Sequence, residues 1–297
     1  MPLQLDVSLF AEPWEQVRLL SDGHRNSALL AMLRRRAPGA RVLEIGAGTG
    51  IWVCAAARLG AEHVVAVEPS GMAELVRELV DRNGLQDRVT VLDALIEDLP
   101  PEPMDLVFSE LLNADPFAEG VLESSAVARD WLAPGGHLAP NRLQIFAQLA
   151  HVEASAEEST AARAQIDGVA ASLGLDLAPL VGLATRPGVD RQLGQDATLL
   201  GPPGLLWDLD LTVEHATPED PIEAWLPVRV GALPPTGAVV WFRAWLDDGI
   251  ALTNTPGTDN HWGQLICGWV EPGATDPRGV RVRAWLGDDG VVVEAAD

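Results

Sequence analysis

Two glutamates nine residues apart carry the most specific chemistry in this chain of 297 residues. The stretch "MDLVFSELLNADPFAEGVLE", Met104 to Glu123, leads an apolar run into Ser109 and Glu110 and reaches a second carboxylate at Glu119. Two carboxylates that converge can hold a cation or move a proton. Each residue also has a plainer reading. Glu110 could be an acid at a helix N-terminus, favoured by the dipole. Glu119 could be a solvated loop residue. Asp115, before Pro116, reads first as turn chemistry. Late in the chain, "NHWGQLICGW" sets His261 and Trp262 side by side, where a lone His is more often structural and a lone Trp more often core.

A second constellation lies upstream. "VLEIGAGTG" places Glu44 two residues before Gly46, with Gly48 and Gly50 following. Glycines let the chain turn sharply after a strand and let the backbone approach a ligand closely. Dinucleotide sites usually space them G-x-G-x-x-G and seat a pyrophosphate on the next helix. Here the spacing is G-x-G-x-G with an acid ahead of it. That acid opposes phosphates and suits a ligand with a cationic amine, S-adenosylmethionine. Glu68 ends the next apolar run, 18 residues past Gly50, where an acid accepts ribose hydroxyls. Glu97 follows the third run, where it can accept from an adenine amino group. One acid at a strand end is a weak signal, but three at successive strand ends is a strong one.

The elements that must position these residues alternate. Residues 1–37 read as helical, with Leu29, Leu30 and Leu33 on one face and a stop near Pro38 and Gly39. Strand patterns "ARVLEI", "HVVAVEPS", "DRVTVLDAL" and "DLVFSE" then alternate with helical "IWVCAAARLG", "MAELVRELVDRNG" and "VLESSAVARDW". "WLAPGG" reads as a turn before a fifth strand. This order predicts a parallel, doubly wound sheet through about residue 140. Beyond it the pattern changes to period two: "LQIFAQLAHVE", "WDLDLTVEH", "AWLPVRV", "AVVWFRAWLDD", "QLICGWV" and "VRVRAWLGDDGVVVEAA". Asp288 to Gly290 marks a hairpin. An antiparallel barrel or sandwich is predicted there. Residues 155–205 read as an excursion from it, opened by a capping box of Ser155 and Glu158.

Composition bounds the setting. The net charge is −23, every basic residue is Arg, and there is neither Lys nor Tyr. Such a field repels nucleic acid and anionic membranes and favours cationic partners. No apolar run is long enough to span a bilayer, and no secretory signal is visible. Cys54 and Cys267 form neither a disulfide framework nor a metal pattern, so no metal is expected and a reducing, cytoplasmic setting fits. The Ala, Gly, Pro and Arg bias suggests a GC-rich, bacterial genome.

Taken in order, these motifs resemble the protein arginine methyltransferase family over nearly the whole chain, as a bacterial-type member. "SELLNADPFAE" resembles its double-glutamate loop, with the same nine-residue separation. "NHWGQLICGW" resembles its T-H-W loop, and "RLLSDGHRN", Arg18 to Asn26, its N-terminal helix pattern. The resemblance implies an α/β + β protein. A class I, Rossmann-like S-adenosylmethionine-binding domain over 1–140 precedes a β-barrel substrate domain over 141–297. The barrel carries a helical dimerisation arm at about 155–205, so a homodimer is implied.

For the cofactor, the resemblance implies Arg25 at the methionine carboxylate, Leu19 near the sulfonium, and Glu44, Gly46, Gly48, Gly50, Glu68, Ile96 and Glu97 around the rest. Glu110 and Glu119 would clamp a guanidinium, with Trp262, Asn260 and Asp115 beside the substrate. His261, oriented by Asp22, would serve as base, or Glu119 would. The sequence departs from the family where "LLNA", Leu111 to Ala114, fills a stretch that often reads W-M-G-Y, and where Asn260 replaces Thr. The implied activity is methyl transfer to a guanidinium nitrogen of free arginine, an arginine-like metabolite, or an arginine in a peptide. A nicotinamide oxidoreductase and an inactive scaffold are the rival readings. The glycine spacing opposes the first, and the retained Glu110, Glu119 and His261 oppose the second.

Overall fold

The computed structural model describes residues 19–152, 164–168, 171, 189–191, 197–214, 217–229, 231–268, 276, 278–288 and 290–296. Helix α1 (Gly23–Arg36) opens the described chain. Asp22 caps it by accepting the Arg25 N–H at 2.8 Å, and it ends where Ala37 N–H returns to Leu33 before Pro38. The stretch 1–37, predicted helical, is interrupted between Leu20 and Asp22. Asp22 holds the first turn's backbone donor from outside, and residues 1–18 lie outside the described residues. Its buried residues, Arg25, Leu29, Met32 and Leu33, recur at helical spacing and form one face.

Five parallel strands follow: β1 (Arg41–Ile45), β2 (His63–Val67), β3 (Val89–Leu92), β4 (Met104–Ser109) and β5 (Leu132–Ala139). Helices α2 (Ile51–Arg58), α3 (Met72–Arg82) and α4 (Val121–Asp130) connect them. The strand order is β3-β2-β1-β4-β5. β1 is buried along most of its length, as expected of a central strand covered on both faces. The chain winds one way from β1 through β3 and the other way from β4, so the sheet's switch point lies between β1 and β4. Register aligns Ile45 with Val67 and with Ser109, so the loops carrying the glycines, Glu68 and Glu110 leave one edge at one level. "WLAPGG" is no simple turn. After Met104 pairs with Leu132 the register slips before Leu106 meets His137, so Ala133 to Gly136 bulge within β5.

The second half is antiparallel. β6 (Arg142–Val152) pairs with β11 (Gly237–Asp247) over nine residue pairs. β13 (Gln264–Gly268) and β12 (Ile250–Thr253) flank β11, and β8 (Ala197–Leu199) and β9 (Gly204–Asp210) flank β6. β7 (Val189–Arg191) pairs with β13. A three-stranded sheet joins β10 (Ile222–Pro227), β14 (Gly279–Gly287) and β15 (Gly290–Ala295). The two sheets curl into a barrel-like body, and buried residues from β6, β11, β14 and β15 share one core with the parallel sheet. Sheet membership changes between Ala139 and Arg142. The capping box at Ser155 and Glu158 and most of 155–205 lie outside the described residues.

α1 is fastened to the barrel at both ends. At its C-terminus Arg36 donates through Nε (2.8 Å) and Nη2 (2.6 Å) to the two oxygens of buried Asp247 on β11. This fork holds the Asp247 carboxyl well below the usual range, against the cost of burial. At its N-terminus the cap Asp22 reaches the loop before β13.

Candidate active site

A cavity of about 670 Å³ opens at the switch point and runs from the glycine turn to the barrel loop. That size suits a cofactor or small ligand. Its floor is the turn after β1, where Gly46, Gly48 and Gly50 all have positive φ, the last at 76°. A Cβ on Gly50 would stand 2.7 Å from Val76 Cγ1, so the glycine is needed for sterics as well as for φ. Gly48 N–H donates to Glu68 Oε2 at 2.8 Å, and Ser70 N–H and hydroxyl donate to Glu68 Oε1. Glu68 thereby ties β2 to the turn. Leu19, Ile96, Glu97, Trp52 and Met72 complete this end.

Glu44 is buried beneath it, and one of its oxygens, Oε2, has no hydrogen-bond partner among the described residues. Burial pushes its carboxyl well above the ordinary range, with Arg25 pulling the other way. An orphaned, cavity-lining carboxylate oxygen is an acceptor awaiting a donor.

The other end holds the paired glutamates. β4 stops at Ser109, so Glu110 leaves the strand end rather than opening a helix. Its Oε2 is gripped by the Arg25 guanidinium, with Nε at 2.6 Å and Nη2 closer still, and its Oε1 accepts from Trp262 Nε1 at 3.2 Å. Arg25 itself lies 6.0 Å from the centre of the Trp52 ring. Glu119, nine residues on, lines the same cavity and accepts from Asn113 Nδ2 at 3.0 Å. Burial first, then the neighbouring Glu110 charge, push its carboxyl up to about 8.

His261 and Trp262 arrive from the barrel. The His261 ring Nδ1 lies 2.9 Å from Asp22 Oδ2, and its backbone N–H donates to the same oxygen at 3.1 Å. Trp262 is fixed edge-on to Phe242 at 5.2 Å. Burial alone would raise the Asp22 carboxyl. The His261 ring, then the Arg25 and His261 backbone donors, outweigh it and hold Asp22 at about 2. A carboxyl held below its ordinary 3.8 adds stability that is present above about pH 4 and lost as pH falls towards 2. Asp22→Asn is therefore expected to be less stable than the parent by about 2 kcal/mol near neutrality. Urea midpoints measured across pH should show that gap closing below pH 4.

Every residue expected at the cofactor lines this cavity: Leu19, Arg25, Glu44, Gly46, Gly48, Glu68, Ile96 and Glu97, except Gly50, which shapes the turn beneath it. Glu110, Glu119, His261 and Trp262 line it too, with Asp22 behind His261. Asp115 and Asn260, expected beside the substrate, sit elsewhere. Asp115 accepts the N–H of Phe117 (3.1 Å) and of Val291 in the β14–β15 hairpin (2.8 Å). Its turn reading is thus the one its geometry follows, and it pins the glutamate loop to the barrel. A Cβ on Gly290 would stand 1.9 Å from its Oδ2, which requires glycine there. Asn260 braces its own loop, donating to Thr258 and accepting the Gly263 N–H at 3.0 Å. Sequence reasoning missed Trp52 beneath Arg25 and the Asn113 bond to Glu119. Placement in the first turn after the glycines was the available signal for Trp52.

Comparison with known proteins bears on this geometry. Residues 42–136 match the model of a family described as "Methyltransferase domain". An "Arginine N(omega)-methyltransferase" from Streptomyces achromogenes subsp. streptozoticus is 30% identical over 284 residues, covering 90% of this chain and 75% of that protein. A "Probable histone-arginine methyltransferase 1.3" from Arabidopsis thaliana is 33% identical over 253 residues, 79% of this chain but 45% of that one. Among solved structures, protein arginine methyltransferase 10 of Arabidopsis thaliana superposes with a TM-score of 0.80 at 22% identity, covering 98% of this chain and 95% of that chain. The Trypanosoma brucei PRMT1 enzyme–prozyme heterotetramer with AdoHcy superposes at 0.78 and 20% identity, covering 97% and 98%.

Proposed function

Because the chain belongs to the arginine N-methyltransferase family, we propose that it transfers a methyl group from S-adenosylmethionine to a guanidinium nitrogen of arginine. The observation that carries the reading is the pairing of Glu110 and Glu119 in one wall of the cavity that begins at the glycine turn. The residues present fit the cofactor. The positive-φ glycines admit close backbone approach, and the orphaned Glu44 oxygen offers an acceptor to an amine. Arg25 would hold the carboxylate, Glu68 the ribose, Ile96 and Glu97 the adenine, and Leu19 would lie near the sulfonium. When bound, S-adenosylmethionine supplies an electrophilic methyl group.

The chain's own residues do the rest. A guanidinium is planar and keeps its proton in water. Glu110 and Glu119 hold two of its nitrogens, fix its plane and concentrate positive charge on the side they face, leaving the third nitrogen the better nucleophile. Trp262 holds Glu110 in place for this, and positioning supplies most of the acceleration. The methylated nitrogen must lose a proton. Asp22 orients the His261 ring at Nδ1, and His261 or Glu119 would take the proton.

The proposed substrate is free arginine or an arginine-like metabolite. The bacterial relative named for arginine itself is spanned to three quarters of its length, whereas the plant relative named for histone arginine is spanned to less than half. The acidic surface suits any cationic substrate. A cytoplasmic homodimer belongs to the same reading, by resemblance of a segment that lies mostly outside the described residues. Transfer of radiolabelled methyl to free arginine, run beside a peptide pool and read by mass spectrometry, tests it. Incorporation into peptides alone would overturn the small-molecule substrate, and the product mass gives the number of methyl groups.

A further inference from the structure

We propose that Asn113 is a positioning residue for Glu119: its side-chain amide orients the second glutamate and supplies its carboxylate with a fixed donor. The inference rests on reading Glu119 as half of a guanidinium clamp. Asn113 lies between the glutamates, three residues after Glu110 and six before Glu119, and lines the same cavity. Its Oδ1 accepts the Ala114 N–H at 2.7 Å, so the oxygen end of the amide is committed to the backbone. Only the NH2 end is left to face Glu119, and it donates to Oε1 at 3.0 Å. The loop that carries this amide is held to the barrel by Asp115 two residues on. Asn113 therefore sits on a fixed support and points a donor at one oxygen of a partly buried carboxylate.

The other charged and titratable groups lining this cavity are Arg25 of α1, Glu44 of β1, Glu68 after β2, Glu97 after β3, Glu110 after β4, Glu123 of α4 and His261 of the barrel loop. Burial and Glu110 oppose the charge on Glu119, while Asn113 and Arg25 favour it. Arg25 is already engaged by Glu110, so among the described residues Asn113 is the neutral donor that offsets the cost of an ionised Glu119. A guanidinium arriving at the clamp would meet a carboxylate already aimed by this amide.

Two variants test the proposal. Asn113→Ala removes the amide. Asn113→Asp keeps its shape and the acceptor for Ala114, removes the donor and adds a like charge beside Glu119. The acid limb of the kcat/KM profile should move up by about one pH unit in Asn113→Ala and further in Asn113→Asp. For Asn113→Ala that is a loss of about tenfold near pH 7 that shrinks at higher pH, with S-adenosylhomocysteine affinity unchanged. A merely structural role would lower activity equally at every pH, and that result would overturn the proposal. An infrared titration of the protonated carboxyl, assigned by its disappearance in Glu119→Gln, needs no turnover. Its midpoint should rise in both variants. An unmoved midpoint sinks the role of Asn113 whatever the reaction is. A moved midpoint in a protein that methylates no arginine would uphold the Asn113–Glu119 coupling and overturn the proposed function instead.

Discussion

Glu110→Gln is expected to slow methyl transfer by about a thousandfold without weakening cofactor binding. The substitution keeps size and removes charge. Glu110 now satisfies three donors: two from Arg25 on Oε2 and the Trp262 indole on Oε1. A glutamine has one acceptor oxygen, so its NH2 must face either Arg25 or Trp262, donor against donor. The clamp then loses both its charge and its fixed orientation. In a water-excluded site, removing one preorganised charge partner is worth roughly 4 kcal/mol in the transition state. Arg25, buried and deprived of its carboxylate partner, remains available to an anionic group. Single-turnover transfer of labelled methyl, paired with calorimetric titration of S-adenosylhomocysteine, separates the two effects. Full activity would remove Glu110 from the mechanism.

Glu119→Gln should abolish transfer as well, and it should also raise stability at alkaline pH. The fold holds this carboxyl up to about 8 against an ordinary 4.5. A carboxyl raised in the fold contributes stability below its ordinary value, and that contribution is lost as pH rises through about 8. Glutamine has no charge to bury. The variant should therefore unfold at a higher temperature than the parent at pH 8 and above, with the difference fading towards pH 4.5. The same linkage predicts that a guanidinium entering the parent's site at pH 7 expels nearly one proton. Calorimetry of substrate binding in buffers of differing ionisation enthalpy would register it. An inactive but unstabilised variant, with no proton released by the parent, would mean that Glu119 is charged before substrate arrives.

The parallel half of the fold was legible because its signals are local. Glycine after an apolar run marks the turn after β1, and the burial of β1, β2 and β4 follows from continuous apolar sequence. In the barrel, period-two alternation located β6, β14 and β15, which bury one face, while β11 and β13, buried on both faces, were located by their apolar runs. β12 was missed, being only Ile250–Thr253 and folded back on β11 beyond a bulge near Asp247. Which strand pairs with which is set by contacts distant in sequence, and no local period encodes them.

The site was legible as a set of residues and opaque as a set of bonds. Spacing brought out Glu110 and Glu119, but not that Arg25 would take the first and Asn113 the second. Such choices depend on which donors the packed chain leaves within reach, and on burial, which with the neighbouring Glu110 charge moves Glu119 away from an ordinary carboxylate. Asp115 shows the converse. Its type and place suggested a turn and the family resemblance a substrate contact, whereas a backbone N–H 176 residues away claimed it.

Asp22 and Asp247, at opposite ends of α1, have a consequence for how the molecule comes apart. Asp22 completes the first turn of α1 and anchors the His261 loop with the same carboxylate, and Arg36 in the last turn anchors β11. The parallel sheet and the barrel therefore share a twice-anchored helix as well as one core. They are expected to unfold as one cooperative unit, with calorimetric and van't Hoff enthalpies that coincide rather than divide into two melting events. The geometry of the cleft is thus protected by the stability of the whole molecule.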